Sequence, residues 1–172
     1  MLSAAQIEIR LAEREDAAAI SVVLHESFEE FKELYTQAGL AATAPRADEL
    51  ITRMDEGPVW VAVRARAMLG TVAAVIKDAS VYVRGMAVLP AARGSGTGSR
   101  LLQQVETWAV REGFRDLFLS TTPFLESAIR LYEKSGFRRT ERGPHNLFGT
   151  PLFTMEKTIS KYGVAEARKQ SQ

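Results

Sequence analysis

Residues 83–102 read VRGMAVLPAARGSGTGSRLL: an alternating apolar run ends at Pro90, glycines recur at Gly94, Gly96 and Gly98, and apolar residues resume at Leu101. Alternation upstream marks a strand, while Leu101, Leu102, Val105, Trp108 and Ala109 form one buried helical stripe that closes near Gly113. The glycine loop therefore sits directly between a strand and a helix start. There, bare backbone N–H groups meet the positive end of the helix dipole, and glycine lets the chain approach a ligand closely. The spacing predicts a concave nest for an anion.

The common phosphate loops can be tested against it. A nucleoside-triphosphate loop needs GxxxxGK followed by Ser or Thr, and no such lysine is present. A dinucleotide fingerprint needs GxGxxG, but from Gly94 the third position falls on Ser99 and from Gly96 on Leu101. Asp116 has the spacing of a ribose-binding acid but precedes its strand instead of ending it. ATP and NAD both fit poorly.

Around this loop the chain alternates between two periods. IEIRLA (7–12) reads as a strand, and from Asp16 one long amphipathic helix is expected, carrying Ala17, Ile20, Leu24, Phe28, Phe31 and Tyr35 on its apolar face. PRADELITRM (45–54) predicts a second helix, stopped by Gly57-Pro58. VWVAVR, MLGTVAAVI and VYVRGMAV then predict an antiparallel meander. After the glycine loop and its helix come the strand DLFLSTT, a short helix over 126–135, and two strands, FRRT and PLFTMEKTI, flanking the loop ERGPHNLFG. The fold class is α+β, a sheet with helices packed on it.

Composition narrows the function classes. At 172 residues one domain is expected over 1–160, with KYGVAEARKQSQ (161–172) as a polar C-terminal tail. A net charge of +1, from 22 basic and 21 acidic residues, gives no field for nucleic acid or anionic lipid. Without cysteine there are no disulfides, thiolate zinc sites or thiol nucleophiles. No apolar run reaches the roughly 20 residues of a membrane helix, and no signal peptide is evident, so a cytoplasmic protein is expected.

The loop Arg93-Gly94-Ser95-Gly96-Thr97-Gly98 resembles the acyl-CoA pyrophosphate loop of the GCN5-related N-acetyltransferases, with Arg93, Gly96 and Gly98 in the family's order. SAIRLYEKSGF (127–137) is similar to that family's second signature. Two positions depart from the pattern: Thr97 replaces an aliphatic residue, and Leu125 stands where asparagine is common. The resemblance implies a mixed, mostly antiparallel sheet of six to seven strands with about four helices and splayed central strands. It also implies that acetyl-CoA lies along VRGMAV, with Met86, Ala87 and Val88 pairing to its amides and holding the oxyanion, and with Arg93, Gly94, Ser95, Gly96, Thr97, Gly98 and Ser99 around the pyrophosphate. Tyr132 matches the tyrosine of the family's LYE motif, and a phenol, protonated at neutral pH, can supply a proton to a departing thiolate.

What the resemblance implies overall is an N-acetyltransferase acting on a primary amine of a small molecule or peptide, with a homodimer as its assembly. The alternative is a non-catalytic acyl-CoA-binding or sensing module on the same fold. No acid lies on VYVRGMAV, and Glu26, Glu29, Glu30 and Glu33 centre opposite the apolar stripe of the first helix as a solvated face, so a water-mediated base is expected. His25 and His145 have no third ligand at metal spacing, so no metal is expected. By resemblance EFKELYTQAGLAATAP (30–45) would cover the acceptor side.

Overall fold

Alternation between apolar and polar residues is realised as a seven-stranded, mostly antiparallel sheet in a computed structural model that describes residues 5–159. Its strands are β1 (Glu8–Leu11), β2 (Val59–Arg64), β3 (Ala67–Lys77), β4 (Ser80–Val88), β5 (Asp116–Thr121), β6 (Arg138–Thr140) and, after a two-stranded hairpin of β7 (Asn146–Leu147) and β8 (Thr150–Pro151), β9 (Phe153–Thr158). The order across the sheet is β1-β2-β3-β4-β5-β9-β6. The expected tail at 161–172 lies outside the described residues.

The helices are α1 (Ala17–Phe28), α2 (Gln37–Thr43), α3 (Ala47–Met54), α4 (Thr97–Arg111) and α5 (Glu126–Lys134). They cover both faces. On one, α4 places Leu101, Leu102, Val105 and Ala109 against Val72, Val81, Val83, Leu117 and Met155. On the other, α1 and α3 bury Ile20, Val23, Leu24, Phe28 and Leu50 with Val61 and Ala87. Leu101 is wholly buried, so Leu101→Ala should destabilise the chain by about 2–5 kcal/mol. Urea unfolding monitored by Trp60 and Trp108, whose rings meet edge to face at 5.9 Å, measures that loss.

Two features of the sheet position the site. The only parallel pair among the described residues, β4 with β5, is short: Val81 faces Leu117 and Tyr82 faces Phe118, after which the register ends. Beyond Tyr82 the β5-facing edge of β4 has no strand partner among the described residues, as the splayed arrangement requires. In addition, two β4 residues, Gly85 and Met86, oppose the single β3 residue Val72, because Thr71 pairs with Ala87 and Ala73 with Arg84. This bulge uses Gly85 at φ 60°, a left-handed conformation that glycine adopts freely.

Three sequence expectations change. The helix expected to run from Asp16 to Tyr35 stops at Phe28 and continues as a 3-10 segment over Glu29–Leu34. The change falls where the Arg93 guanidinium donates to the Ser27 carbonyl at 3.0 Å, taking the acceptor that an α-helix would offer to Phe31 N–H. Among the described residues there are five helices where about four were expected, because 37–43 adds α2: the Thr36 side chain caps it by accepting from Gly39 N at 3.0 Å. The helix after the glycine loop begins at Thr97, so Gly98 and Ser99 belong to its first turn.

Candidate active site

The glycine loop folds as its composition demands. A 3-10 turn over Pro90–Ala92 leaves β4, Gly94 sits at φ 78° and Gly96, the residue before α4, at φ 81°. Any other residue there would cost about 1–2 kcal/mol in backbone strain. The first intrahelical bond of α4 runs from Arg100 N to Gly96 O at 3.1 Å, so Thr97, Gly98 and Ser99 present N–H groups that the helix does not use. A Cβ built on Gly94 or Gly96 meets nothing within 4 Å, so the loop faces open space. Gly98 is the opposite case, since its Cβ would come within 2.7 Å of Leu131 Cδ2 and 3.3 Å of Met86 Cε. Glycine at 98 thus lets α4 start against α5.

Hydroxyls hold this loop in shape. Ser95 Oγ donates to Ala92 O and stands 2.7 Å from Thr97 Oγ1, which is fully buried. Threonine at 97 keeps its hydroxyl satisfied by Ser95, which accounts for the departure from an aliphatic residue. Arg93 ties the loop to the opposite wall: its guanidinium pairs with the Glu30 carboxylate and donates to Ser27 O at 3.0 Å and Val88 O at 3.4 Å.

Loop, strand edge and helix α5 enclose one cleft of about 490 Å³, within the size range of small-molecule sites. Its lining includes Met86, Ala87 and Val88 of β4, Arg93, Gly94, Gly96, Thr97, Gly98 and Ser99 of the loop, and Tyr132. Of the residues that the resemblance assigned to the cofactor or to catalysis, only Ser95 is not on the wall, its hydroxyl being turned into the loop. The opposite wall is Ser27, Phe28, Glu30 and Phe31; periodicity assigns the phenylalanines to the core and Glu30 to solvent, the resemblance alone sets 30–45 over the acceptor side, and Ser27 and Phe28 are missed. Glu30 is exposed, yet it lines the cleft and its carboxylate pairs with Arg93. Nothing in a 63-residue separation announces that pair.

Tyr132 lies in the last turns of α5, 8% exposed, edge to face with Phe137 at 6.0 Å. Burial pushes its phenol well above the ordinary tyrosine value, with the nearby Tyr35 and Tyr82 adding to the effect. It is protonated at any physiological pH. Leu125 precedes α5 and contributes no capping bond; its side chain lines the cleft as an apolar surface.

The histidines do not gather. His25 meets Ser21 O through its Nδ1 at 2.7 Å, on the exposed side of α1, and His145 is exposed in the loop before β7. Among the described residues, no three His, Cys, Asp or Glu side chains form a metal-binding group. Among them also, no helix is long and apolar enough to cross a membrane.

Comparison with known proteins agrees with this architecture. A model described as the acetyltransferase (GNAT) family matches residues 21–137, more than half of the chain. IAA acetyltransferase of Azospirillum brasilense is 38% identical over 103 residues, 58% of this chain and 66% of that protein, just under two thirds of its length. PaiA N-acetyltransferase from Thermoplasma acidophilum, solved in complex with coenzyme A, superimposes with a TM-score of 0.76 at 19% identity, covering 90% of this chain and 99% of that one. YncA from Salmonella typhimurium, solved with its cofactor acetyl-CoA, gives 0.67 at 24% identity and covers 90% and 95%. The structural likeness shows the fold, and the family match carries the assignment: the chain belongs to the acetyltransferase (GNAT) family.

Proposed function

We propose that this chain is an acetyl-CoA-dependent N-acetyltransferase that modifies a primary amine of a small molecule or peptide in the cytoplasm, with residues 1–160 as its single domain. The observation that carries the reading is the convergence of three elements on one cleft: the unused N–H groups at the start of α4, the unpartnered edge of β4 and the protonated phenol of Tyr132. The residues fit a pyrophosphate-bearing ligand, since Gly94 and Gly96 open onto space a side chain would occupy and α4 directs its positive end there. The coenzyme A and acetyl-CoA complexes of PaiA and YncA support the same choice of ligand.

In this reading, backbone N–H groups of Gly94 to Ser99 hold the pyrophosphate, and Arg93 acts by fixing the loop, its guanidinium being committed to Glu30, Ser27 and Val88. The free edge around Met86 to Val88 orients the acyl arm and offers N–H groups to the carbonyl oxygen. Bound acetyl-CoA supplies a thioester, so that transfer forms an N–C bond, breaks a C–S bond and leaves a thiolate that needs a proton. Tyr132 holds that proton at its Oη. Among the described residues Glu30 is the one carboxylate on the cleft wall and is paired, so the acceptor's ammonium loses its proton to water.

The paired state of Glu30 also favours a second reading, an acyl-CoA-binding module without turnover. Coenzyme A release, followed with a thiol reagent over a panel of primary amines, separates the two. Release above the hydrolytic background with at least one amine is expected; acetyl-CoA binding with no amine-dependent release would leave the module.

A further inference from the structure

A hydroxyl shut away from hydrogen-bond partners carries its full desolvation penalty, so each one in a folded chain calls for a physical account. Among the described residues whose buried hydroxyls have no partner, Ser27 alone lines the cleft. It lies in the last turn of α1 and is 3% exposed. A helical serine can satisfy its hydroxyl on the carbonyl four residues back, and Ser27 does not. Thr154 also lacks a partner, but it stands on β9, opposite Ser120 and Thr140 in the sheet register and off the cleft wall.

Ser27 is held opposite the open edge of β4. One guanidinium, that of Arg93, donates from Nη2 to the Ser27 carbonyl at 3.0 Å and from Nε to the Val88 carbonyl at 3.4 Å. The Val88 carbonyl therefore faces the cleft, and the two carbonyl oxygens lie within about 9 Å of each other. An extended chain between two neighbours takes up two strand spacings, about 9.6 Å, so the walls admit a single such chain here. Phe28 and Phe31 make the rest of the Ser27 wall apolar, and Glu30 is engaged by Arg93. The Ser27 hydroxyl is thus the polar side-chain group of that wall with nothing bonded to it among the described residues.

We propose that Ser27 is a binding residue for the donor: a step of χ1 turns its hydroxyl into the cleft, where it hydrogen-bonds an amide of the acyl-CoA arm on the side away from β4. The proposal rests on the acyl-CoA reading above. The N–H and C=O of an extended amide point in opposite directions, so an edge strand reaches only the groups turned toward it. Those turned away need a partner from the facing wall, and a hydroxyl, donor and acceptor at once, serves either.

Ser27→Ala should weaken coenzyme A about tenfold in calorimetric titration, a difference of about 1.4 kcal/mol. Adenosine 3′,5′-bisphosphate, a nucleotide without the arm, should bind as it does to the parent. The melting temperature of Ser27→Ala should not fall, because the hydroxyl has no partner to lose. Thr154→Val removes a hydroxyl of the same kind away from the cleft and should leave coenzyme A affinity unchanged. A second variant reads the position directly: the chain has no cysteine, so Ser27→Cys supplies a single thiol. Methyl methanethiosulfonate should modify that thiol, and acetyl-CoA should protect it where adenosine 3′,5′-bisphosphate does not.

Unchanged coenzyme A affinity in Ser27→Ala overturns the proposal, as does an equal loss of affinity for the nucleotide or a melting temperature below that of the parent. A thiol that stays unmodified, or that acetyl-CoA leaves equally reactive, overturns it too. If the parent chain itself fails to bind coenzyme A, the acyl-CoA reading falls and this proposal falls with it.

Discussion

Tyr132→Phe should lower the turnover number by about a hundredfold or more, the usual range for loss of a positioned general acid, while changing acetyl-CoA affinity little. The substitution removes one oxygen and keeps the ring that packs on Phe137. A tyrosine that only packs would behave differently, since its loss would register in stability and not in turnover. The pH profile supplies a second readout. A phenol raised by burial donates its proton wherever it remains protonated, so the alkaline limb assigned to it lies above the ordinary value of about 10, and any rise in turnover below that belongs to deprotonation of the acceptor amine. The same sign holds for stability: the preference of the fold for neutral Tyr132 is fully present below the unfolded value and is lost as pH rises past it. Stopped-flow measurement of coenzyme A release with saturating acetyl-CoA, for the parent and Tyr132→Phe across pH 6 to about 10, checks both.

Gly98→Val should have the second large effect. Its Cβ would meet Leu131 Cδ2 at 2.7 Å, so α4 and α5 must separate or the first turn of α4 must shift, and either displaces the N–H groups of Thr97 to Ser99. Overpacking of this kind costs about 1–3 kcal/mol, and at the upper end acetyl-CoA affinity falls about a hundredfold. Gly94→Ala is the control. Its Cβ has open space and only the positive φ to oppose it, so a loss of about 1–2 kcal/mol in stability is expected with a smaller change in affinity. Calorimetric titration of both variants with acetyl-CoA distinguishes a clash from a strained backbone.

These substitutions mark where the sequence was legible. Gly94, Gly96 and Gly98 could be read because each answers a local requirement, two for a left-handed backbone and one for a close helix approach. The strands of 59–88 could be read because alternation matches the pleat. The end of α1 could not be read: the stripe of Phe28, Phe31 and Tyr35 suits a continued α-helix, and the change to 3-10 geometry coincides with a bond from Arg93, far along the chain. The α2 helix escaped for a different reason, its Gly39 and alanines carrying little periodicity, although Thr36 three residues before Gly39 offered a capping signal.

The site divides in the same way. Local motifs yielded the glycine wall and Tyr132, whereas the facing wall depends on tertiary placement. The rings of Tyr35 and Phe124 meet edge to face at 4.9 Å and those of Phe31 and Phe124 lie 6.1 Å apart, contacts that set the 3-10 segment after α1 against the loop after β5. Arg93 shows the limit clearly. The motif marks it as part of the cofactor loop, and the structure uses its side chain to join that loop to Glu30 and Ser27.

The central claim is that the glycine loop and the open edge of β4 form an acyl-CoA site, and thermal unfolding with acetyl-CoA, with ATP and NAD as controls, tests it most directly. At a concentration of 100 times its dissociation constant, acetyl-CoA should stabilise the chain by about 2.7 kcal/mol, with neither control reproducing the shift. No shift with millimolar acetyl-CoA, or an equal shift with ATP or NAD, would contradict the account.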